Sequence, residues 1–154
     1  MRRIVRAVIV RAARSHDFDA VTRLLEELGR PEVTEETRDA CRAVFEAQVL
    51  DPEAAHLVAE ADDGAVVGFC SLHFRPRLNH LTPQAWVPDL IVAPTARRAG
   101  VGLALLEEAE RQARGRGCHD LTLESAHFRT DAHRLYTRFA MTQGALAFWK
   151  SLND

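Results

Sequence analysis

The chain has 154 residues, with 20 lysines and arginines against 22 acidic residues and a net charge of −2. Its 47% hydrophobic and 27% charged residues are typical of a globular domain, and its charge balance provides no overall field for binding nucleic acid. No segment approaches the ~20 apolar residues of a membrane span. We therefore expect one domain over residues 1–154, without a nucleic-acid or membrane partner.

The three cysteines, Cys41, Cys70 and Cys118, are widely spaced and form no Cys-x-x-Cys or Cys/His pattern. This usage favours a reducing compartment and argues against a metal site. Near the N-terminus, Arg11 interrupts an apolar run that is too short for a secretory signal. The sequence therefore predicts a cytoplasmic protein that binds no metal.

The apolar spacing predicts strands and helices that alternate along the chain. In chain order we expect a strand at 7–12, a helix at about 15–29 capped by Ser15 or Asp17, a helix at 34–50, a hairpin around Asp63 and Gly64, a strand at 84–92, a helix from Val101, a strand at 119–125, a helix at 130–139 and a strand at 145–152. Alternating strands and helices with one hairpin among them indicate an α/β fold with a mixed sheet.

A loop rich in arginine and glycine, "RRAGVG", connects the strand at 84–92 to the helix that begins near Val101. The first turn of a helix leaves backbone N–H groups unpaired and carries a partial positive charge. Gly100 and Gly102 would let an anion approach those groups, and Arg97 and Arg98 would add charged donors. The loop therefore predicts a local site for a pyrophosphate, with an ordinary solvated glycine loop as the alternative.

Two common phosphate-binding loops fit the letters poorly. A Walker loop requires Lys-Ser or Lys-Thr after its last glycine, whereas Leu103 and Ala104 follow Gly102. A dinucleotide-binding loop would have a small residue in place of Leu105 and would begin directly after its strand, although Glu124 does imitate the ribose-binding acid of such domains. A dinucleotide-binding oxidoreductase domain therefore stays an alternative.

The strand end "LIV" and the loop resemble the acyl-CoA-binding motif of the GNAT superfamily of N-acetyltransferases, and the resemblance extends from "VIVRAA" to "ALAFWKSL". It implies a single-domain GNAT-like fold, with a mixed central β-sheet flanked by helices on both faces, and acetyl-CoA as cosubstrate. The residues that it implies for CoA binding are Leu90, Ile91, Val92, Arg97, Arg98, Ala99, Gly100, Val101, Gly102, Leu103 and Arg129.

Tyr136 lies in "HRLYTRF", which resembles the later helix of the superfamily. The resemblance implies that its hydroxyl protonates the departing CoA thiolate. Packing of the ring on the helix face is the alternative. His133, on the same side of the predicted helix, and His127, just before it, are secondary candidates for tuning this site.

The general base is the main departure from the superfamily pattern. Pro88 stands where many relatives have a glutamate, and Trp86 occupies a second position that some relatives use for an acid. Glu124, at the end of the next strand, is our preferred candidate. Asp89 is less suitable because strand alternation turns its side chain to the other face.

The resemblance implies transfer of an acetyl group from acetyl-CoA to a primary amine, by direct attack in a ternary complex. The acceptor is a small molecule or a peptide, bound near residues 28–33 and 143–149. The apolar segment 145–152 predicts a homodimer formed through a sheet edge. A module that binds CoA but has lost turnover is the competing function, because the usual glutamate is missing.

Overall fold

The computed structural model describes residues 7–153, so residues 1–6 and 154 of the predicted domain lie outside the described part. The chain divides into two compact units, one ending at Leu123 and the other beginning at Glu124. Among the described residues, no helix is both long enough and apolar enough to span a membrane.

Within residues 7–123, the first unit contains two sheets and three α-helices. In chain order its elements are β1 Val8–Ala12, α1 Phe18–Glu27, α2 Arg38–Leu50, β2 Leu57–Ala61, β3 Val66–Cys70, β4 His73–Arg75, β5 Gln84–Val87, β6 Leu90–Val92, α3 Val101–Gly115 and β7 Leu121–Leu123. One sheet has the order β1-β2-β3-β6 and the other β4-β5-β7. Among the described strands, only the β5–β7 pairing is parallel, which confirms the predicted mixed α/β fold.

Helices pack on both faces of the four-stranded sheet. Alternate residues of β2 enter different core clusters, with Leu57 and Ala59 on one face and Val58 on the other. The first face is covered by α3, whose buried residues recur every four positions: Val101, Leu105, Ala109 and Ala113. The opposite face is covered by Phe18, Val21 and Leu24 of α1 and Phe45 of α2. We call this second face the α1–α2 face.

Gly68 sets how closely α3 approaches the sheet. A Cβ atom at this position would lie 3.0 Å from side-chain atoms of both Val101 and Leu105. The absence of a side chain on β3 therefore lets the first two turns of α3 pack directly against the strand. This packing fixes the start of α3 beside the end of β6.

The predicted strand at 84–92 is wrong as a single element, because it divides into β5 and β6, which belong to different sheets. Pro88 and Asp89 separate the two strands, and proline has no N–H group to continue a ladder. Val87 and Leu90 are three residues apart yet face the same core cluster. The alternation therefore shifts by one residue at this break, which we call the β5–β6 bulge.

Two other predictions also changed in detail. The second helix begins at Arg38 rather than at Thr34, because the Thr34 N–H donates to Thr37 Oγ1 in a preceding turn. Neither proposed cap bonds the first turn of α1. Ser15 Oγ donates to Glu46 instead, and the Asp17 carboxylate accepts from the Arg14 N–H.

The second unit contains one helix, α4 Thr130–Arg138, which confirms the predicted helix to within one residue. The predicted strand at 145–152 is wrong, because residues 141–153 form neither helix nor strand. Residues 124–153 contain no strand that could pair with this segment. Its apolar side chains are exposed, with Leu146 at 68%, Phe148 at 89% and Trp149 at 87%.

Candidate active site

The outer edge of β6 presents main-chain groups at two of the predicted CoA-binding residues. Ile91 lies opposite Phe69 of β3. Two residues to either side of Ile91, the Asp89 carbonyl accepts the Ser71 N–H, and the Ala93 N–H donates to the Val67 carbonyl. Because bonding alternates along an antiparallel pair, the N–H and C=O groups of Leu90 and Val92 point away from β3. Ile91 is instead buried, and its main chain is directed at β3. It is therefore a packing residue of this edge.

The loop after β6 connects this strand edge to the start of α3. Arg98 has a φ of 64° and Gly100 a φ of 78°, so the chain turns through left-handed conformations just before the helix. The first backbone bond of α3 runs from the Ala104 N–H to the Gly100 carbonyl at 3.0 Å. The N–H groups of Val101, Gly102 and Leu103 therefore precede the helical ladder, as the first N–H groups of an α-helix do.

The side chains of residues 97–101 differ in their exposure to solvent. Residues 97–100 are exposed, whereas the Val101 side chain is buried in the core under α3. Arg97 turns back toward the strand, with its Nε donating to the Val92 carbonyl at 3.3 Å. This contact independently places the Val92 carbonyl on the open edge of β6.

The remaining predicted site residues lie in the second unit. Tyr136 is half-buried on α4, and its carbonyl accepts the Met141 N–H at 2.9 Å. That bond closes a turn in which Ala140 has a φ of 61°. Glu124 is exposed directly after β7, and the Arg129 guanidinium lies 5.3 Å from the Phe128 ring centroid.

His133 has a specific partner in this unit. Its Nε2 lies 3.1 Å from Ser125 Oγ, and it is three residues before Tyr136 on α4. His127 is exposed. Of His127 and His133, the two described histidines that the sequence analysis considered, only His133 has a side-chain contact at hydrogen-bond distance.

Asp89, at the β5–β6 bulge, is occupied by an ion pair and a hydrogen bond. Its carboxylate lies 2.7 Å from an Arg30 nitrogen and 3.2 Å from Ser71 Oγ. The Asp89 N–H also donates to Ser71 Oγ at 2.8 Å. These contacts fix the Asp89 carboxylate at the bulge.

A pair of histidines that sequence reasoning missed lies near the bulge. His56 is buried, and neither of its ring nitrogens has a hydrogen-bond partner among the described residues. Its ring centroid is 4.9 Å from that of His73, which in turn is 5.7 Å from that of Trp86. Burial lowers the pKa of His56 to about 4, with a further lowering from His73. Burial also lowers the pKa of His73 from its usual 6.5.

Residues 18–141 match the family model described as "Acetyltransferase (GNAT) family". The chain belongs to the GNAT acetyltransferase family. It is 35% identical over 143 residues to the aminoalkylphosphonate N-acetyltransferase of Salmonella typhimurium, a match that covers 93% of this chain and 90% of that protein.

Two solved structures share the GNAT fold. A Bacillus halodurans protein described as a transcriptional regulator has a TM-score of 0.87 and 22% identity, over 95% of this chain and 100% of its own. An aminoglycoside N-acetyltransferase in complex with CoA has a TM-score of 0.78 and 20% identity, over 95% of each chain. The family match and the 35% identity to an N-acetyltransferase show that the chain is an acetyl-CoA-dependent N-acetyltransferase, which decides against the dinucleotide-binding alternative.

Within residues 7–153 of this acetyltransferase, no group of three or more His, Cys, Asp or Glu side chains is placed to hold a metal ion. The polar groups described above include backbone amides, arginines, histidines, one tyrosine and the carboxylates of Asp89 and Glu124. These groups can bind an anionic coenzyme and move protons.

We expect the acetyltransferase to lose stability as pH falls from 6.5 toward 4. Unfolded His56 takes up a proton near pH 6.5, whereas folded His56 stays neutral down to about pH 4. The folded pKa is the lower one, so acid favours the unfolded chain, by about 3 kcal/mol at pH 4. His56→Phe keeps a ring in the core but removes the titrating group, so its melting temperature should fall less between pH 7 and pH 5. The exposed residue His80 provides the control, His80→Gln, and parallel curves for His56→Phe and the parent would contradict this explanation.

Proposed function

We propose that the chain binds acetyl-CoA along the open edge of β6 and at the first turn of α3. The observation that supports this most directly is the pairing register, which directs the main-chain groups of Leu90 and Val92 away from β3. In this proposal those groups pair with the pantetheine arm, and the Val92 N–H polarises the thioester carbonyl. The pyrophosphate is bound by the N–H groups of Val101, Gly102 and Leu103.

The loop residues complete the proposed coenzyme site. Gly100 supplies the left-handed turn that directs the amides at the pyrophosphate, and the short side chain of Ala99 leaves room for it. Arg97 and Arg98 add charge-assisted donors. Arg129 is assigned to the pantetheine side on the resemblance alone.

The proposed reaction is direct attack of a primary amine on the thioester in a ternary complex, carried out by residues 1–154 as one catalytic domain. Tyr136 donates the proton that the CoA thiolate takes as it leaves. Glu124 is the sequence-based candidate for the general base. The competing function, a CoA-binding module without turnover, differs from this proposal in having no role for the Tyr136 hydroxyl.

We further propose that the acceptor is a small amine with an anionic group, an aminoalkylphosphonate being the leading candidate. The relative that is 35% identical over 93% of the chain is named for that substrate. On the α1–α2 face, Arg30 is half-exposed and also bonds the Pro88 carbonyl at the bulge. A phosphonate can share such a guanidinium with Asp89, because an arginine carries five donors.

The acceptor proposal is tested with a matched pair of amines, an aminoalkylphosphonate and the same aminoalkane without its phosphonate. We expect the phosphonate to have the higher kcat/KM by about 10-fold or more, the usual effect of one charged hydrogen bond. Arg30→Gln should reduce that preference while the simple amine is acetylated as before. An aminoglycoside with a higher kcat/KM than both would replace this acceptor class.

We also propose a homodimer that covers the apolar segment 145–152. The exposed side chains of Leu146, Phe148 and Trp149 support this, since such groups are costly to leave in water. Sedimentation at micromolar concentration should give twice the 17.2 kDa chain mass. Trp149→Glu should shift the mass toward the monomer, and a parent protein that sediments as a monomer would reject the dimer.

A cytoplasmic location is proposed as well. Cys41, Cys70 and Cys118 are all free thiols, a state that a reducing compartment maintains.

A further inference from the structure

His73 begins β4 and lies on the side of that strand away from the α3 core cluster, close to the β5–β6 bulge. Its neighbours Leu72 and Phe74 are both buried in the core on the α3 side, so strand alternation places His73 on the opposite face with Ser71. Ser71 Oγ accepts the N–H of Asp89, the residue directly before β6. At ~3.3 Å per residue, His73 is within about 7 Å of Ser71 along the chain. It therefore stands near the start of the open β6 edge.

Aromatic rings hold the imidazole of His73 from two sides. His73 is paired with Trp86 across the β4–β5 ladder, and their ring centroids are 5.7 Å apart. His56 contacts it edge-to-face at 4.9 Å. His73 is half-buried, whereas His56 is buried, so of the two rings only His73 can be reached by a bound amine.

Burial favours the neutral form of the His73 imidazole. Burial lowers its pKa below 6.5, and Arg75 on the same strand lowers it further, while Asp51 and Asp89 act in the opposite direction. Arg30 is paired with the Asp89 carboxylate at 2.7 Å. A neutral imidazole can accept a proton, and the proton would then be stabilised by the two carboxylates.

An acceptor amine that arrives as an ammonium ion must lose a proton before its nitrogen can attack. The superfamily resemblance places an acid of many relatives at Pro88 and of some relatives at Trp86, and neither of these side chains can accept that proton. We propose that His73 is the general base of the acetyl transfer. This proposal rests on the proposed function, since it assigns a proton acceptor to that reaction.

The step balances as follows for an acceptor R–NH₃⁺. One proton passes to a ring nitrogen of His73 and later to water. The amine lone pair then forms the C–N bond with the thioester carbonyl carbon, and the C–S bond breaks with its electron pair on sulfur. The thiolate takes a proton from Tyr136, and the second proton lost by the nitrogen restores the phenol. The products are R–NH–acetyl, CoA thiol and one proton.

The test is the pH dependence of single-turnover acetylation in the parent and in His73→Gln, measured at saturating acetyl-CoA. We expect the variant to be ~10²- to 10⁴-fold slower at pH 7, the usual effect of losing a positioned base. The deficit should shrink about tenfold per pH unit as pH approaches the pKa of the acceptor ammonium, because free amine needs no base. The parent rate should fall on the acid side with a pKa below 6.5, whereas the variant rate should follow the fraction of free amine and show no inflection at that pKa.

Several outcomes overturn the proposal. One is a variant whose pH–rate profile runs parallel to the parent's, because a merely structural role would slow acetylation equally at all pH values. Another is the predicted loss appearing in Glu124→Gln instead of His73→Gln. The exposed His80→Gln is the matched control. If His73→Gln does not fold, the parent is instead assayed with an acceptor amine whose pKa is below 5. That amine is already deprotonated, so the fall of the parent rate on the acid side should disappear. A fall that persists overturns the proposal. A parent that acetylates no amine would instead reject the proposed function.

Discussion

Tyr136→Phe should slow acetyl transfer by ~10²- to 10⁴-fold while leaving acetyl-CoA affinity and melting temperature close to those of the parent. A CoA thiolate that leaves in a closed site is a buried anion unless a proton arrives with it. Phenols are protonated at neutral pH and have one donor, so the hydroxyl can supply that proton without a shifted pKa. The substitution keeps the half-buried ring on α4 and deletes only the oxygen.

Single-turnover rates are the suitable readout, because slow product release would hide part of the loss in steady state. Tyr136→Leu, which also removes the ring, separates the packing role from the chemical one. If packing is what matters, Phe should behave like the parent and Leu should be defective. A Phe variant that acetylates at the parent rate would assign the hydroxyl a structural role only.

Gly100→Val should weaken CoA binding by about 10-fold or more in a protein that still folds. The φ of 78° at Gly100 lies in the left-handed region, where a β-branched residue is strained by ~1–3 kcal/mol. No atom lies within 4 Å of a Cβ built at this position, so the fold can accommodate the side chain. The cost therefore falls on the loop, which must change its backbone or place a branched side chain where the pyrophosphate would bind. Titration calorimetry with CoA measures the effect.

Gly115→Val is the matched control for this substitution. Gly115 ends the same helix, a Cβ there also meets no atom within 4 Å, and its φ is not positive. Binding should be unchanged in this control. Gly102→Val should resemble Gly100→Val for a different reason, since Gly102 is helical and its new side chain would stand beside the first-turn amides. If both loop variants bind CoA with the affinity of the parent, the loop is an ordinary solvated turn and not a pyrophosphate site.

The parts of the fold that follow from local patterns were predictable. The hairpin around Gly64 and the helix that begins at Val101 both follow from turn residues and apolar spacing within about twenty positions. The division of the strand at 84–92 was not foreseen, although Pro88 is the signal for it. The strand at 145–152 was wrong because its composition favours β-structure but its unit offers no strand to pair with.

The candidate site divides in the same way. The loop from Arg97 to Leu103 is contiguous in sequence, so its letters were enough to predict an anion site. His56 and His73 are seventeen residues apart and meet only through the hairpin register. That register could have suggested them, because pairing of Leu57 with Cys70 brings the residues just outside the hairpin together. Burial and the missing partners of the His56 ring required the structure.

The most direct test of the central claim is acetyl transfer by the parent protein itself. Purified protein is incubated with acetyl-CoA and a panel of amines that includes aminoalkylphosphonates, aminoglycosides and peptide N-termini, and both free CoA thiol and N-acetylated product are quantified. An acetyltransferase should release one thiol for each N-acetyl group formed, and release should stop when the amine is exhausted. Tight CoA binding with no acetylated product from any amine would contradict the claim and leave a CoA-binding module.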